Sequence, residues 1–160
     1  MGLFSKKQKL KIMLATQSGT AVNMTEVPDP VFAEKVLGDG IAIIPSSNEV
    51  FSPCTGTIAQ VASTLHAVGI ESDDGLEVLV HLGIDTVNLK GEGFTCYVKV
   101  GQHVKAGEKI MEMDVELIKS KNLNPISPCI ITNMDDIGEL KLSTGATIGG
   151  ETTVINYQKK

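Results

Sequence analysis

His66 and His81 flank Ser72, Asp73, Asp74 and Gly75, a run of turn chemistry, so two imidazoles ride on the arms of one expected hairpin. A neutral imidazole has one nitrogen with a free lone pair and one carrying a proton, and its neighbours decide which is which. Two rings side by side suit phosphoryl transfer: one attacks phosphorus while the other donates a hydrogen bond to the equatorial oxygens as charge develops. They suit a metal equally. Thr64 precedes His66 closely enough for its hydroxyl to bond one ring nitrogen and leave the other facing His81. Gly83, just after His81, lets backbone approach.

The arms are read as strands, Thr64 to Glu71 and Leu76 to Gly83. A turn centred between Asp73 and Asp74 sets His66 opposite His81 and Thr64 opposite Gly83, with Cβ atoms roughly 5 Å apart. An Asp74-Gly75 loop moves the register by two, so that His81 faces Val68 and His66 becomes its diagonal neighbour on the same face. An odd slip, such as a bulge, separates the pair. Leu76, Val78, Val80 and Leu82 share one parity and Glu77, Leu79 and His81 the other, which points His81 away from the aliphatic core.

Around this hairpin, short apolar segments recur between turn residues: IMLAT, IAIIP, GTIAQV, LEVLVHL, FTCYVKV, KIMEM, PCIITN and TTVIN. With 16 glycines, they predict an all-β sandwich or barrel carrying one or two very short helices. Asp114 to Lys121 has an acidic start and a basic end that suit a two-turn helix. Asp29 as N-cap and Pro30 at the first helical position predict another turn to Lys35. SPCTGTI is echoed by SPCIIT, and VKVGQHVKAGEKI has a cadence that GDGIAI repeats faintly, as in two related halves packed into one core.

The chain has 160 residues, 42% of them hydrophobic, which fits one domain with a sizeable core. The formal charge is −5 and arginine is absent, which argues against a nucleic-acid surface and leaves proteins or small molecules as partners. Cys54, Cys96 and Cys129 are odd in number without CxxC spacing, so neither a disulfide framework nor a thiolate zinc site is expected, and a reducing cytoplasm is the simplest compartment. No apolar run is long enough for a membrane span. Residues 1–11, with Lys6, Lys7, Lys9 and Lys11, read as a basic tail ahead of a domain over 12–160, and Lys6 excludes the myristoylation pattern.

A catalytic zinc needs a third protein ligand beside His66 and His81. His103, in the turn-like GQHVKAG, reads better as a solvated loop residue, whereas Asp85 or Glu71 could complete a site or equally serve a protein partner as salt bridges.

The stretches VFAEKVLGDGIAI, SPCTGTI, TLHAVGIESDDGLEVLVHLGIDTVNLKGEGF, GQHVKAGEKI and ISPCIITNMDDI resemble the glucose-type enzyme IIA components of the bacterial sugar phosphotransferase system, over Ala15 to Ile155. VGQHVKAGEKI also resembles biotinyl and lipoyl carriers, but the EMKM or DKA context of their lysine is absent. The resemblance implies a β-sandwich, or barrel-sandwich hybrid, with a duplicated hybrid motif. It implies a phosphocarrier that takes phosphate from phospho-HPr and passes it to a cysteine of a IIB domain. By position, His81 resembles the phosphorylated residue, reactive at Nε2 with Nδ1 held through the backbone around Gly83. His66 resembles the residue that stabilises the phosphoryl group, and Thr64 the one that orients His66.

For docking, the resemblance implies an apolar surface of Val31, Phe32, Leu37 and Leu79 ringed by the acids Asp29 and Asp85, with Glu71 added as a partner-binding residue. Pro30 and Leu79 replace other apolar residues of relatives, Asn88 stands where some carry an acid, and the N-terminal arm is shorter and more basic than the membrane-binding arm of enteric members. No cofactor is expected, and His66 and His81 would hold zinc only adventitiously. The chain is expected to be a free-standing, monomeric, cytoplasmic IIA that meets the membrane only through its permease. A zinc-dependent hydrolase and a regulatory protein that is never phosphorylated are the competing readings.

Overall fold

The computed structural model describes residues 10–160. Of the basic tail, residues 1–9 lie outside the described residues, and Lys11 already belongs to the first strand. In chain order the strands are β1 (Lys11–Leu14), β2 (Gly19–Asn23), β3 (Asp39–Pro45), β4 (Glu49–Phe51), β5 (Gly56–Val61), β6 (Ala67–Ser72) and β7 (Glu77–His81). They continue as β8 (Phe94–Cys96), β9 (His103–Val104), β10 (Lys109–Met113), β11 (Ser127–Ile131), β12 (Ile137–Leu142), β13 (Gly145–Thr147) and β14 (Thr153–Lys159). An eight-stranded sheet runs β13-β2-β3-β11-β7-β6-β5-β9, and two three-stranded sheets run β1-β14-β12 and β4-β10-β8. The β-sandwich expectation is met.

Side-chain parity explains how one sheet supports two apolar layers. Along β3 and β11, Ile41, Ile43, Cys129 and Ile131 enter the main core, where they meet Met13, Val50, Met111, Met113 and Ile155 from the small sheets. The alternate residues Ala42 and Ile130 face a second cluster with Val22, Met24, Val27, Phe32, Ile84 and Ile126. Strands buried on both faces read as unbroken apolar runs, which is why IAIIP and PCIITN stand out in the sequence. Burying one such side chain is worth about 1.5–3 kcal/mol, so Val80→Asp would break the main core beneath the hairpin. Strands β2, β4, β12 and β13 carry no such run: β12, IGELKL, buries only Ile137 and occupies a sheet edge.

Both short helices form within the stretches expected from the sequence, each two residues shorter. Helix α1 (Pro30–Ala33) starts at Asp29, whose carboxylate accepts from the Val31 N–H at 2.9 Å. Helix α2 (Val115–Ser120) starts at Asp114, which accepts from the Leu117 N–H at 3.0 Å. Helix α1 lays Phe32 into the second cluster, with Leu79 of β7 packed against the same cluster. The far end of the β6–β7 hairpin is tied down by Asp74. Its carboxylate accepts from Lys11 at 3.0 Å, from the Tyr157 hydroxyl at 2.8 Å and from Ser72, while Lys159 donates to its carbonyl.

Candidate functional site

The hairpin loop contains three residues, Asp73 to Gly75, closed by Gly75 at φ +92° and by a 2.8 Å bond from the Ser72 N–H to the Leu76 carbonyl. Ala67 therefore stands opposite His81 and Val68 opposite Val80. Both registers expected from the sequence are overturned by one residue, because a three-residue loop with left-handed glycine competes with the two-residue turns. Strand alternation alone would then send His66 to the Val68 side, away from His81.

Local backbone restores the pair. Strand β6 begins only at Ala67, and before it Leu65 adopts φ +61°, its N–H bonding back to the Ala62 carbonyl at 2.8 Å. That turn brings His66 out to the face of His81. The ring centroids lie 5.2 Å apart, edge to face at 77°. Thr64 lies in the same turn rather than opposite Gly83, and its Oγ1 is 2.6 Å from His66 Nδ1. His81 Nδ1 lies 2.8 Å from the Gly83 carbonyl oxygen. Each ring thus has Nδ1 engaged and Nε2 available for chemistry.

Electrostatics keep both rings neutral near pH 7. Burial pushes His66 below its ordinary value. Burial also dominates at His81 and, with a push from His66, outweighs the upward pull of the Gly83 carbonyl, Asp29 and Asp85. Phe32 supplies part of the apolar surround, its ring centroid 5.0 Å from that of His81.

The family model of the phosphoenolpyruvate-dependent sugar phosphotransferase system, EIIA 1, matches residues 11–137. The chain belongs to this family. As an EIIA it is a phosphocarrier, a phosphotransferase component of sugar transport. It is 44% identical over 152 residues to the PTS system glucose-specific EIIA component of Buchnera aphidicola, covering 95% of this chain and 94% of that protein. The component of the same name in Haemophilus influenzae is 42% identical over 166 residues, covering 99% of this chain and all of that one (100%). Among solved structures, glucose permease IIA from Mycoplasma capricolum superposes with a TM-score of 0.87 at 37% identity, covering 95% of this chain and 99% of that one.

Within this EIIA, the residues expected at a docking surface divide. Val31 and Leu37 are 43% and 44% exposed, and Leu79 is half-buried. Phe32 is only 5% exposed and presents itself to His81, so its place is beside the ring rather than on an open surface. Asp29 and Asp85 act electrostatically on His81, whereas Glu71 lies further along the sheet, directly opposite Glu77. Leu37 lines a concavity with Val36, Asn133 and Asp136 whose rim, Thr132, also borders the groove over Glu71, Glu77 and Leu79.

Among the described residues no cluster of three or more His, Cys, Asp or Glu is placed to hold a metal, so the zinc reading lacks its third ligand. His103 belongs to β9 instead of a loop and pairs with Asp73 at 3.0 Å, at the hairpin tip. The cysteines are free, and burial pushes the Cys54 thiol up to about 12. No described helix is long and apolar enough to cross a membrane.

Three residues around Gly83 escape a reading of the sequence. Thr86 donates its hydroxyl to the Leu82 carbonyl, Ser127 Oγ accepts from the Gly83 N–H at 3.3 Å, and the Asn124 carbonyl accepts from the Ile84 N–H at 2.9 Å. Ser127 is visible in sequence only as part of the SPC echo, which says nothing of its neighbours.

Proposed function

We propose that His81 is the phosphoryl acceptor of this EIIA, attacking through Nε2, and that His66 stabilises the transferring group. The observation that supports this reading most is the edge-to-face pair at 5.2 Å with each Nδ1 separately engaged. A proton on Nδ1 of His81, donated to the Gly83 carbonyl, leaves the Nε2 lone pair free to attack. As the new N–P bond forms and the bond from phosphorus to the donor's histidine breaks, positive charge spreads over the imidazole and the carbonyl dipole stabilises it. The Thr64 hydroxyl donates to Nδ1 of His66, so the proton of that ring sits on Nε2 and donates to the equatorial oxygens.

The donor is phospho-HPr and the acceptor a cysteine thiolate of a IIB domain, whose sulfur attacks phosphorus and returns His81 to its neutral form. Glu71 and Glu77 stand directly cross-strand, a like-charge pairing that costs stability until a cationic partner neutralises it. Asp29 and Asp85 add negative charge near His81, favouring orientation and encounter rate with a basic partner more than affinity. Val31, Leu37 and Leu79 give that partner apolar contact. The stretch 12–160 works as one monomeric unit in the cytoplasm.

Incubation with phosphoenolpyruvate, enzyme I and HPr adds one acid-labile, base-stable phosphoryl group. No incorporation into wild type refutes the proposal. His81→Gln abolishes acceptance, while His66→Gln still accepts and transfers poorly onward; normal onward transfer removes His66 from the mechanism.

A further inference from the structure

We propose that the buried hydroxyls of Thr86 and Ser127 are positioning residues for phosphoryl acceptance: they clamp the backbone so that the Gly83 carbonyl meets Nδ1 of His81 and sets the tautomer of the ring. The inference rests on the reading of His81 as acceptor.

The carbonyl that orients His81 belongs to a loop with two left-handed residues, Gly83 at φ +78° and Asp85 at φ +61°. Left to itself, such a segment has no reason to hold one peptide orientation. Two consecutive peptide planes are nevertheless held at both ends. In the Leu82–Gly83 peptide, the carbonyl accepts from Thr86 Oγ1 and the N–H donates to Ser127 Oγ at 3.3 Å. In the Gly83–Ile84 peptide, the N–H donates to the Asn124 carbonyl at 2.9 Å, and the carbonyl lies 2.8 Å from His81 Nδ1.

Because N–H and C=O point oppositely across a trans peptide, pinning the first plane by two hydroxyls and the N–H of the second to Asn124 directs the Gly83 carbonyl toward the ring. Both hydroxyl residues are wholly buried at 0% exposure, where no water replaces a lost partner. Ser127 spends its own proton on the Pro125 carbonyl at 2.9 Å, so its oxygen is left as an acceptor for the Gly83 N–H. The Leu82 N–H also donates to the His66 carbonyl at 2.7 Å, so the clamp reaches the backbone of the second histidine.

The test uses Thr86→Val, which keeps the shape of threonine without its hydroxyl, and Ser127→Ala, singly and together. Nitrogen-15 spectra of the histidine rings at pH 8 are expected to show His81 as one tautomer, protonated on Nδ1, in wild type and as a mixture in the variants. Acceptance of phosphate from phospho-HPr is expected to fall by about three- to ten-fold per hydroxyl, the range of one net hydrogen bond. Thr86→Ser and Ser127→Thr, which keep the hydroxyls, are expected to retain both the tautomer and the rate.

If His81 remains a single Nδ1–H tautomer in Thr86→Val, the clamp is overturned even where the rate or the melting temperature drops. Should the double variant fail to fold, Thr86→Val alone decides, by the same spectrum. Failure of wild type to take phosphate on His81 removes the reading beneath, and is recognised because the tautomer measurement needs no phosphoryl donor.

Discussion

Gly83→Ala loads strain on the point where the loop meets His81. Gly83 sits at φ +78°, a conformation that costs an alanine about 1–2 kcal/mol. Its new Cβ would stand 2.5 Å from Thr86 Cγ2 and 3.2 Å from the Asn124 carbonyl oxygen, the first of which no packed structure tolerates. Thr86 cannot turn aside freely, because it is wholly buried and its hydroxyl is committed to the Leu82 carbonyl. Breaking that bond adds about 1–3 kcal/mol for an unsatisfied buried group. The sum is about 2–5 kcal/mol, a large part of the roughly 5–15 kcal/mol that holds a domain together. With a urea slope of about 2 kcal/mol/M, the denaturation midpoint falls by about 1–2.5 M.

Adding Thr86→Ser deletes Cγ2 and keeps the hydroxyl, so the double variant is expected to recover all but the backbone cost of about 1–2 kcal/mol. A Gly83→Ala protein within about 0.5 kcal/mol of wild type, the scale of an ordinary surface substitution, refutes the reasoning, as does a double variant with no recovery.

Other expectations follow from the charges and hydrogen bonds. Burial raises Asp74, yet hydrogen bonds from Ser72, Lys11 and Tyr157 and the charge of Lys11 outweigh it and hold the carboxyl at about 2, below its ordinary 3.8. A depressed acid stabilises the fold above its unfolded value and loses that contribution as pH falls toward 2; after discounting for partial exposure this is about 1–2 kcal/mol. Asp74→Asn should lose this amount at pH 7 and flatten the acid limb of urea denaturation, and an unchanged limb would show the tie to be inert. Burial lowers His81 below its ordinary 6.5, so as pH falls the unfolded chain takes up the proton first: the fold loses stability from about 6.5 downward, while the folded ring stays neutral until the lower value is reached. Acceptance of phosphate should therefore stay level as pH falls past 6.5, and a ring titration midpoint at or above that value contradicts the geometry. Thr64→Val should slow onward transfer by about three- to ten-fold through loss of one hydrogen bond to His66, with acceptance less affected; unchanged transfer removes Thr64 from the site.

Much of this architecture is legible in residue order, because its causes are local. The parity of Leu76, Val78, Val80 and Leu82 against His81 follows from the two-residue repeat of a strand, and the structure keeps it. The cap of Asp29 and the acidic start and basic end of the second helix likewise need only their own turns. Strands such as β12 were invisible because an edge with one exposed face and a single buried residue leaves no periodic signal.

Sequence by itself determined which residues could do the chemistry: two histidines around one hairpin, a threonine beside the first, a glycine beside the second, and motifs that place them in a phosphocarrier family. How those residues meet was decided only in three dimensions. The expected register was wrong by one residue, an error that alternation would have turned into separation, and a left-handed Leu65 cancelled it. Phe32 went beside the ring, and Thr86 and Ser127 closed on the loop from elements distant in the chain. Such contacts depend on turn geometry and on packing between strands far apart in sequence, where differences of about 1 kcal/mol choose among registers that the residue pattern leaves nearly equal.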